Sequence, residues 1–332
     1  MIPSHPPGVA AYKAGYRRFK WHDADRNRPV WADVWYPSTD RTEERVMLYG
    51  LGHGRAISAA GVASAGSPFP LVVMSHGASG SAPNYAWLAE FLARHGVVVL
   101  GVSHYGESWL YGPETIEPIA ITRLWVRPGD CTFALTQLLT HEDFQASLDS
   151  TRVGAIGHSS GGSTAIMLGG AMLDPAALSA YYRSPAAQSD RGRHYGRQSE
   201  TPPPAPAEAT WSYRDPRVVA IVALDPAIGP GYSAESLARV QAPVLVVGSE
   251  DNDFLPFEHH AGRYAALLPK AESLTLRDGE GHFVYLNTCT SDLSVNGVRI
   301  CVDREGVDRA AVHARLAPQV LAFLLAAMPH GV

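Results

Sequence analysis

An α/β fold built on one mostly parallel sheet, with helices on both faces, is what this sequence predicts, on three observations. Short continuous apolar runs alternate with stretches of helical periodicity, the pattern of strands buried on both sides by helices. Five of those runs, at 69–75, 97–102, 151–158, 217–224 and 243–248, end in turns that carry glycine, histidine, serine or aspartate. One such turn, Gly157-His158-Ser159-Ser160-Gly161-Gly162, joins a run directly to the small-residue helical stretch Ser163-Thr164-Ala165-Ile166-Met167-Leu168.

Taken in order, residues 1–15 read as irregular. Alternating apolar and polar residues over 16–28 and 30–37 predict two antiparallel edge strands. A polar, glycine-rich and serine-rich connection over 38–66 leads to the strand 69–75, then to the turn His76-Gly77-Ala78-Ser79-Gly80. Tyr85, Leu88, Phe91 and Leu92 at helical spacing predict a helix over 83–95, stopped by Gly96. The strand 97–102 runs into His104 and a loop whose Trp109, Tyr111 and Trp125 are candidates to wall a cleft. A helix over 127–140, the strand 151–158 and a helix over 160–173 follow.

Residues 174–215 form a long insertion, its centre Thr201-Pro202-Pro203-Pro204-Ala205-Pro206-Ala207 unsuited to helix or strand. An insertion of this length beside such a turn is expected to serve as a lid. The strand 217–224 ends in Asp225-Pro226, and 243–248 ends in Ser249-Glu250-Asp251-Asn252-Asp253. A helix over 257–268, a strand over 272–277, the loop Asp278-Gly279-Glu280-Gly281-His282-Phe283 and a helix over 307–328, kinked at Pro318, complete a single domain spanning 1–332.

Composition narrows the function. A 46% apolar, 18% charged chain of 332 residues can bury a sizeable core. Its net charge of -5, with no basic cluster, speaks against nucleic acid as a partner. No apolar run approaching a membrane span stands out, and the first residues lack a charged-then-apolar signal pattern, so a cytoplasmic location is the default expectation. Cys131 falls in a helical pattern, whereas Cys289 and Cys301 bracket a polar, turn-rich loop and are expected to form a disulfide. That bond would favour an oxidising compartment instead.

In a mostly parallel sheet, ligands bind at the carboxyl ends of the strands. Ser159, Asp225, Asp251, His282 and the turn at Ala78 all fall there. A serine hydroxyl needs a base to take its proton and an acid to hold that base in the right tautomer. Ser159 is the expected nucleophile, flanked by glycines that allow a strained turn. His282 is the expected base, preferred to His259, His260, His313 and His330 because it follows a strand and comes after the acid. His158 is expected to shape the pocket. The acid is Asp251 or Asp225, with Asp251 preferred because it lies just past the tip of the 243–248 strand. The backbone amides of Ala78 and Ser160 are the expected oxyanion donors.

These segments resemble a known family. The elbow at 157–162, the Ser75-His76-Gly77 turn and the Gly281-His282-Phe283 loop are similar to those of the α/β-hydrolase superfamily. Val34-Trp35-Tyr36-Pro37 and Gly306-Val307-Asp308-Arg309 resemble its branch of predicted dienelactone hydrolases and platelet-activating-factor-acetylhydrolase-like esterases. That branch carries the acid one strand earlier, at the position of Asp225. The elbow holds Ser159 where authentic dienelactone hydrolases use cysteine. The resemblance implies an α/β-hydrolase fold and a serine hydrolase of small-molecule or lipid-like esters, requiring neither metal nor organic cofactor. An acyltransferase on the same triad and a non-catalytic binding protein on the same fold are the alternatives.

Overall fold

The structure is a computed structural model that describes residues 10–196 and 205–329. His330 and the Thr201-Pro202-Pro203-Pro204 part of the proline-rich run lie outside the described residues. In chain order the elements are β1 (Lys13–Asp23), β2 (Arg28–Ser38), β3 (Arg45–Tyr49), β4 (Gly52–Ser58), β5 (Phe69–Ser75), α1 (Ala86–Arg94), β6 (Val98–Ser103), α2 (Val126–Leu139), β7 (Leu148–His158), α3 (Ser160–Leu168), α4 (Pro175–Arg183), α5 (Arg193–Gly196), β8 (Val218–Leu224), α6 (Ala234–Leu237), β9 (Val244–Ser249), α7 (Ala261–Leu267), β10 (Ala271–Leu276), β11 (Ser294–Val295), β12 (Val298–Arg299) and α8 (Arg309–Ala327).

The main sheet has the order β10-β9-β8-β7-β5-β6-β2-β1-β4-β3. From β10 to β6 every neighbour is parallel. β2 is antiparallel to both β6 and β1. The inner parallel strands are apolar on both faces because each face is covered, whereas the edge strand β10 carries exposed Glu272 and Ser273. In β5, Leu71 and Val73 enter the core formed with α2, α3 and α7, whereas Val72 and Met74 enter the core formed with α1 and α8. The period-2 alternation of the strand thus feeds two separate helix layers.

Four expectations need correction. β1 and β2 are antiparallel as predicted but are not the edge, because the hairpin β3–β4 pairs beyond β1. That hairpin lies within 38–66, read as a connection; its half-exposed residues break the apolar alternation that signals a strand. β1 begins at Lys13, inside the stretch read as irregular. The insertion is not irregular throughout: Asp174 accepts from the amides of Ala176 and Ala177 and Pro175 sits in the first turn, so α4 starts on a side-chain cap.

The apolar-run expectation also changes at the C-terminus. α8 is 19 residues long with a mean hydropathy of 1.5, enough by length and composition to cross a membrane. Its Val312, Leu316, Val320 and Leu324 pack with Val72, Val222 and Leu88 in the core beneath the sheet. The helix continues through Pro318.

Cys289 and Cys301 form the expected disulfide, closing a loop of sequence separation 12 around the hairpin β11–β12. The hairpin turn Asn296-Gly297 has positive φ at both residues, the backbone that Asn-Gly favours. From that turn Asn296 Nδ2 donates to the Arg191 carbonyl at 3.0 Å, and Arg191 Nη1 donates back to the Asn296 carbonyl at 2.6 Å. The staple therefore braces the insertion as well as its own loop. Unreduced, unfolded protein should present one alkylatable thiol, Cys131, and three after reduction, read by intact mass. Reduction should lower unfolding stability by about 3 kcal/mol, the loop-closure contribution for a ring of this size; three thiols before reduction would refute the bond.

Candidate active site

The parallel register sets the carboxyl ends of β5, β7, β8 and β9 side by side. Ser75 lies opposite Gly157, Gly157 opposite Ala223, and Leu224 opposite Val247. The chain turns sharply after β7 so that α3 packs straight back on the sheet. At the apex Ser159 has φ 55° and ψ -122°, a strained region for a residue with a side chain. Its N–H donates to the Leu224 carbonyl at 3.0 Å, and its carbonyl accepts from Ala227 at 3.0 Å.

The glycines of the turn are needed because backbone meets backbone. A Cβ on Gly157 would sit 2.0 Å from the Gly161 carbonyl oxygen, and one on Gly161 2.0 Å from the Ser75 carbonyl oxygen. Neither contact can relax by moving a side chain.

His282 is brought to the same edge by the short helical turn His282–Tyr285 after β10. It is buried, and its Nδ1–H donates to Asp225 Oδ2. Its backbone N–H donates to Asp253 Oδ1 at 2.9 Å. Phe254 stacks on its ring at 5.0 Å, with 9° between the planes. His313 Nε2 bonds the Val284 carbonyl at 2.7 Å while its ring stacks on Trp87 at 3.8 Å, holding the turn from below. No hydrogen bond closes between Ser159 Oγ and His282 Nε2 among the described residues, a looseness common in free sites.

The preference for Asp251 as partner of His282 is not met: the side chain that reaches Nδ1 is Asp225. Asp251 is exposed, and its carbonyl accepts from Arg304. The loop after β9 contributes something else, an amide that holds the carboxylate. Asn252 Nδ2 donates to Asp225 Oδ2, and Asn252 Oδ1 is itself fixed by the amides of Phe254 and Leu255, each at 2.8 Å. Asp225 takes up its place with φ 42°, and its N–H is tied to the Val247 carbonyl. Local sequence separates these two strand-end aspartates only weakly; the sheet register brings Asp225 to His282.

The turn after β5 sits beside the elbow: a Cβ on Gly77 would lie 3.4 Å from Ser159 Cβ. Gly77 N–H donates to Tyr85 Oη at 3.0 Å, and Ser79 N–H to Glu107 Oε2 at 3.4 Å. Between them, the amide of half-buried Ala78 has no acceptor among the described residues, and neither has that of Ser160, the first residue of α3. The two expected oxyanion donors are thus uncommitted amides flanking Ser159.

Beneath this turn lies a buried polar network that sequence reasoning did not find. Arg127 Nη1 donates to the His76 carbonyl at 2.6 Å, while its Nε and Nη2 grip both oxygens of Glu107 at 2.9 and 2.6 Å. His76 Nε2 accepts from the His104 amide at 3.0 Å. Ser75 Oγ, His104 and Asp130 form a hydrogen-bonded chain of 2.8 and 3.0 Å. Burial and the nearby Arg127 charge hold His104 below its ordinary value. Burial alone would raise the Asp130 carboxyl, but the His104 hydrogen bond and the Arg28 guanidinium outweigh it and hold the acid well below the usual range. The only sequence signal was charge in the otherwise apolar pattern of α2.

One other expectation, that Trp109, Tyr111 and Trp125 wall a cleft, resolves differently. Tyr111 packs on Trp31 at 4.6 Å and donates to the Ser103 carbonyl at 2.7 Å, and Trp125 packs against the core, so both support the scaffold; Trp109 is exposed. His260 is buried and paired with Asp190 of the insertion at 2.8 Å.

His158, Asp225 and His282 bring donor atoms within 4.8 Å of one another, a spacing compatible with a metal ion. Both ring nitrogens of His158 and Nδ1 of His282 are already committed to hydrogen bonds, which fits proton chemistry better than ligation.

A model of the "Alpha/beta hydrolase family" matches residues 72–289. Among solved structures, a ferulic acid esterase from Streptomyces cinnamoneus superposes with a TM-score of 0.62 at 20% identity, over 97% of this chain and 92% of that one. At that identity the likeness is one of fold. No curated protein matches the chain.

Two outcomes follow from this geometry. Gly161→Ala should lower stability by more than about 3 kcal/mol in urea unfolding, since the clash is with backbone; a cost under 1 kcal/mol would mean that the elbow relaxes freely. Arg127→Met, which leaves Glu107 buried without its partner, should cost about 3–5 kcal/mol, part of it recovered in Arg127→Met/Glu107→Gln. Additive losses in the double variant would refute the pairing.

Proposed function

Because the chain belongs to the alpha/beta hydrolase family, we propose that it is a serine hydrolase of carboxylic esters working through an acyl-enzyme. The observation that carries this reading is the buried pairing of His282 Nδ1 with Asp225 at the sheet edge that also holds strained Ser159. With Nδ1 engaged, His282 is held as the tautomer whose Nε2 can accept a proton.

In the proposed cycle Ser159 Oγ attacks the acyl carbon as its proton passes to His282 Nε2. Asp225 stabilises the imidazolium, and Asn252 keeps the carboxylate in place. Negative charge on the former carbonyl oxygen is met by the amides of Ala78 and Ser160, assisted by the dipole of α3. Collapse expels the alcohol, protonated by His282. Water, deprotonated by the same histidine, then attacks the acyl-enzyme and frees Ser159.

The substrate class is a small-molecule or lipid-like ester, in line with the esterase branch suggested by Val34-Trp35-Tyr36-Pro37. The insertion 174–215 acts in this reading as the lid that limits substrate size. Arg191 N–H donates to the Phe254 carbonyl at 2.9 Å, so the insertion bears on the residue stacked against His282. The Cys289–Cys301 bond favours an oxidising compartment.

Hydrolysis of p-nitrophenyl esters tests the assignment. Ser159→Ala should retain less than about a hundredth of the activity and lose labelling by a fluorophosphonate. Asp225→Asn should lower kcat by about ten-thousand-fold through the wrong histidine tautomer, and Asp251→Asn should stay within about threefold. Collapse in Asp251→Asn with normal turnover in Asp225→Asn would overturn the acid assignment.

A further inference from the structure

Behind Ser159 runs a chain of buried hydrogen bonds that the catalytic cycle does not use. Gly77 N–H donates to Tyr85 Oη at 3.0 Å, Tyr85 Oη bonds His158 Nδ1 at 2.9 Å, and His158 Nε2 bonds the backbone carbonyl of His282 at 2.9 Å. The first group can only donate and the last can only accept, so the ends dictate the direction of the whole chain. Tyr85 takes the Gly77 hydrogen and spends its own on His158 Nδ1. His158 must then be the neutral Nε2–H tautomer, donating to His282.

The environment supports that state. His158 is buried, packed against the rings of Tyr85, His282 and Tyr285. Desolvation, and then the nearby His282, hold its imidazole well below its ordinary value. The chain is also placed where position matters. A Cβ on Gly77 would meet Tyr85 Oη at 3.2 Å, His158 Nδ1 at 3.3 Å and Ser159 Cβ at 3.4 Å, so Tyr85, His158 and Ser159 all converge on Gly77.

We propose that His158, the residue before the nucleophile, is a positioning residue that works with Tyr85 as a neutral relay, fixing the backbone of His282 relative to the oxyanion turn at Gly77-Ala78. The proposal rests on the ester-hydrolase reading. The relay spans the two elements that must meet across the reacting carbon, the base and the oxyanion donors, and these come from segments about two hundred residues apart. Its worth is therefore in the transition state, where a small displacement of either element matters, rather than in holding the ester beforehand.

The test uses the full chain, a short p-nitrophenyl ester and a trifluoromethyl ketone, which forms a tetrahedral adduct with an active serine. Tyr85→Phe removes only the central hydroxyl. It should lower kcat by about 10- to 100-fold with KM within about twofold, and weaken the ketone in the same proportion. His158→Phe should do the same, and the double variant should be no worse than the poorer single. His158→Gln, which keeps an N–H and a carbonyl, should recover part of the loss. If His158→Phe does not fold, Tyr85→Phe with the ketone decides alone. Wild-type kcat in Tyr85→Phe, losses that multiply in the double variant, or a raised KM at unchanged kcat would each overturn the relay. Fluorophosphonate labelling of Ser159 separates the two readings. A labelled, active wild type with an indifferent Tyr85→Phe overturns the relay only, whereas an unlabelled, inactive wild type overturns the hydrolase reading and the relay with it.

Discussion

The close approach of backbone to backbone at the β7–α3 turn is the constraint on which the rest depends. α3 starts so near the sheet that Gly161 lies against the Ser75 carbonyl and Gly157 against the Gly161 carbonyl, with no room for a Cβ at either position. That contact forces the apex residue to φ 55° and turns Ser159 away from the ladder of the sheet. It also points the first amide of α3 toward the same edge, where the helix dipole favours negative charge. Strain of this kind persists only when the surroundings over-determine it. Here they do: the apex peptide is tied to Leu224 on one side and Ala227 on the other.

The surroundings include an unusual amount of buried charge. Arg127 and Glu107 are almost wholly buried, as are His104 and Asp130. Desolvating such groups is costly, and a buried ion pair is weak evidence for stability. What this one provides is a fixed conformation for the turn Ser75-His76-Gly77-Ala78: the His76 and Gly77 carbonyls and the Gly77 amide are engaged, whereas the Ala78 amide has no acceptor among the described residues. The Ser75–His104–Asp130 chain makes an instructive contrast with Ser159, His282 and Asp225. Both contain the same three residue types, but Ser75 ends a regular strand with its hydroxyl spent on His104, whereas Ser159 Oγ makes no bond to His282 among the described residues. Only Ser159 sits in a strained turn at φ 55°, whereas Ser75 lies in regular strand.

The histidines make the same point about context. His76, His104, His158, His260, His282 and His313 are all buried, and each has at least one ring nitrogen committed. His76 and His104 brace the turn after β5, His313 the turn that carries His282, and His260 the anchorage of the insertion. Only His282 combines a carboxylate on Nδ1 with an Nε2 that has no partner among the described residues.

The amino-acid sequence by itself determined the α/β architecture, because burial of a parallel sheet on both faces demands continuous apolar strands, and Leu71, Val72, Val73 and Met74 or Val244, Leu245, Val246 and Val247 announce them locally. It determined the elbow for a similar reason: crowding at 157–162 is a property of six consecutive residues, and glycine is the one residue that relieves it. The Cys289–Cys301 staple was legible from the short polar loop between its cysteines. Tertiary structure alone decided what depends on register between distant strands. Asp225 and Asp251 both follow buried strands, and the fold placed Asp225 against His282 while giving Asn252 the task of holding it. The β3–β4 hairpin, half exposed and weakly patterned, became a strand pair only by adding to β1. The Arg127–Glu107 clamp joins residues 20 positions apart, and the His158 links to Tyr85 and His282 join residues 73 and 124 apart; hydrogen bonds of that range leave no periodic trace because their partners are chosen by the packing of the sheet rather than by spacing along the chain.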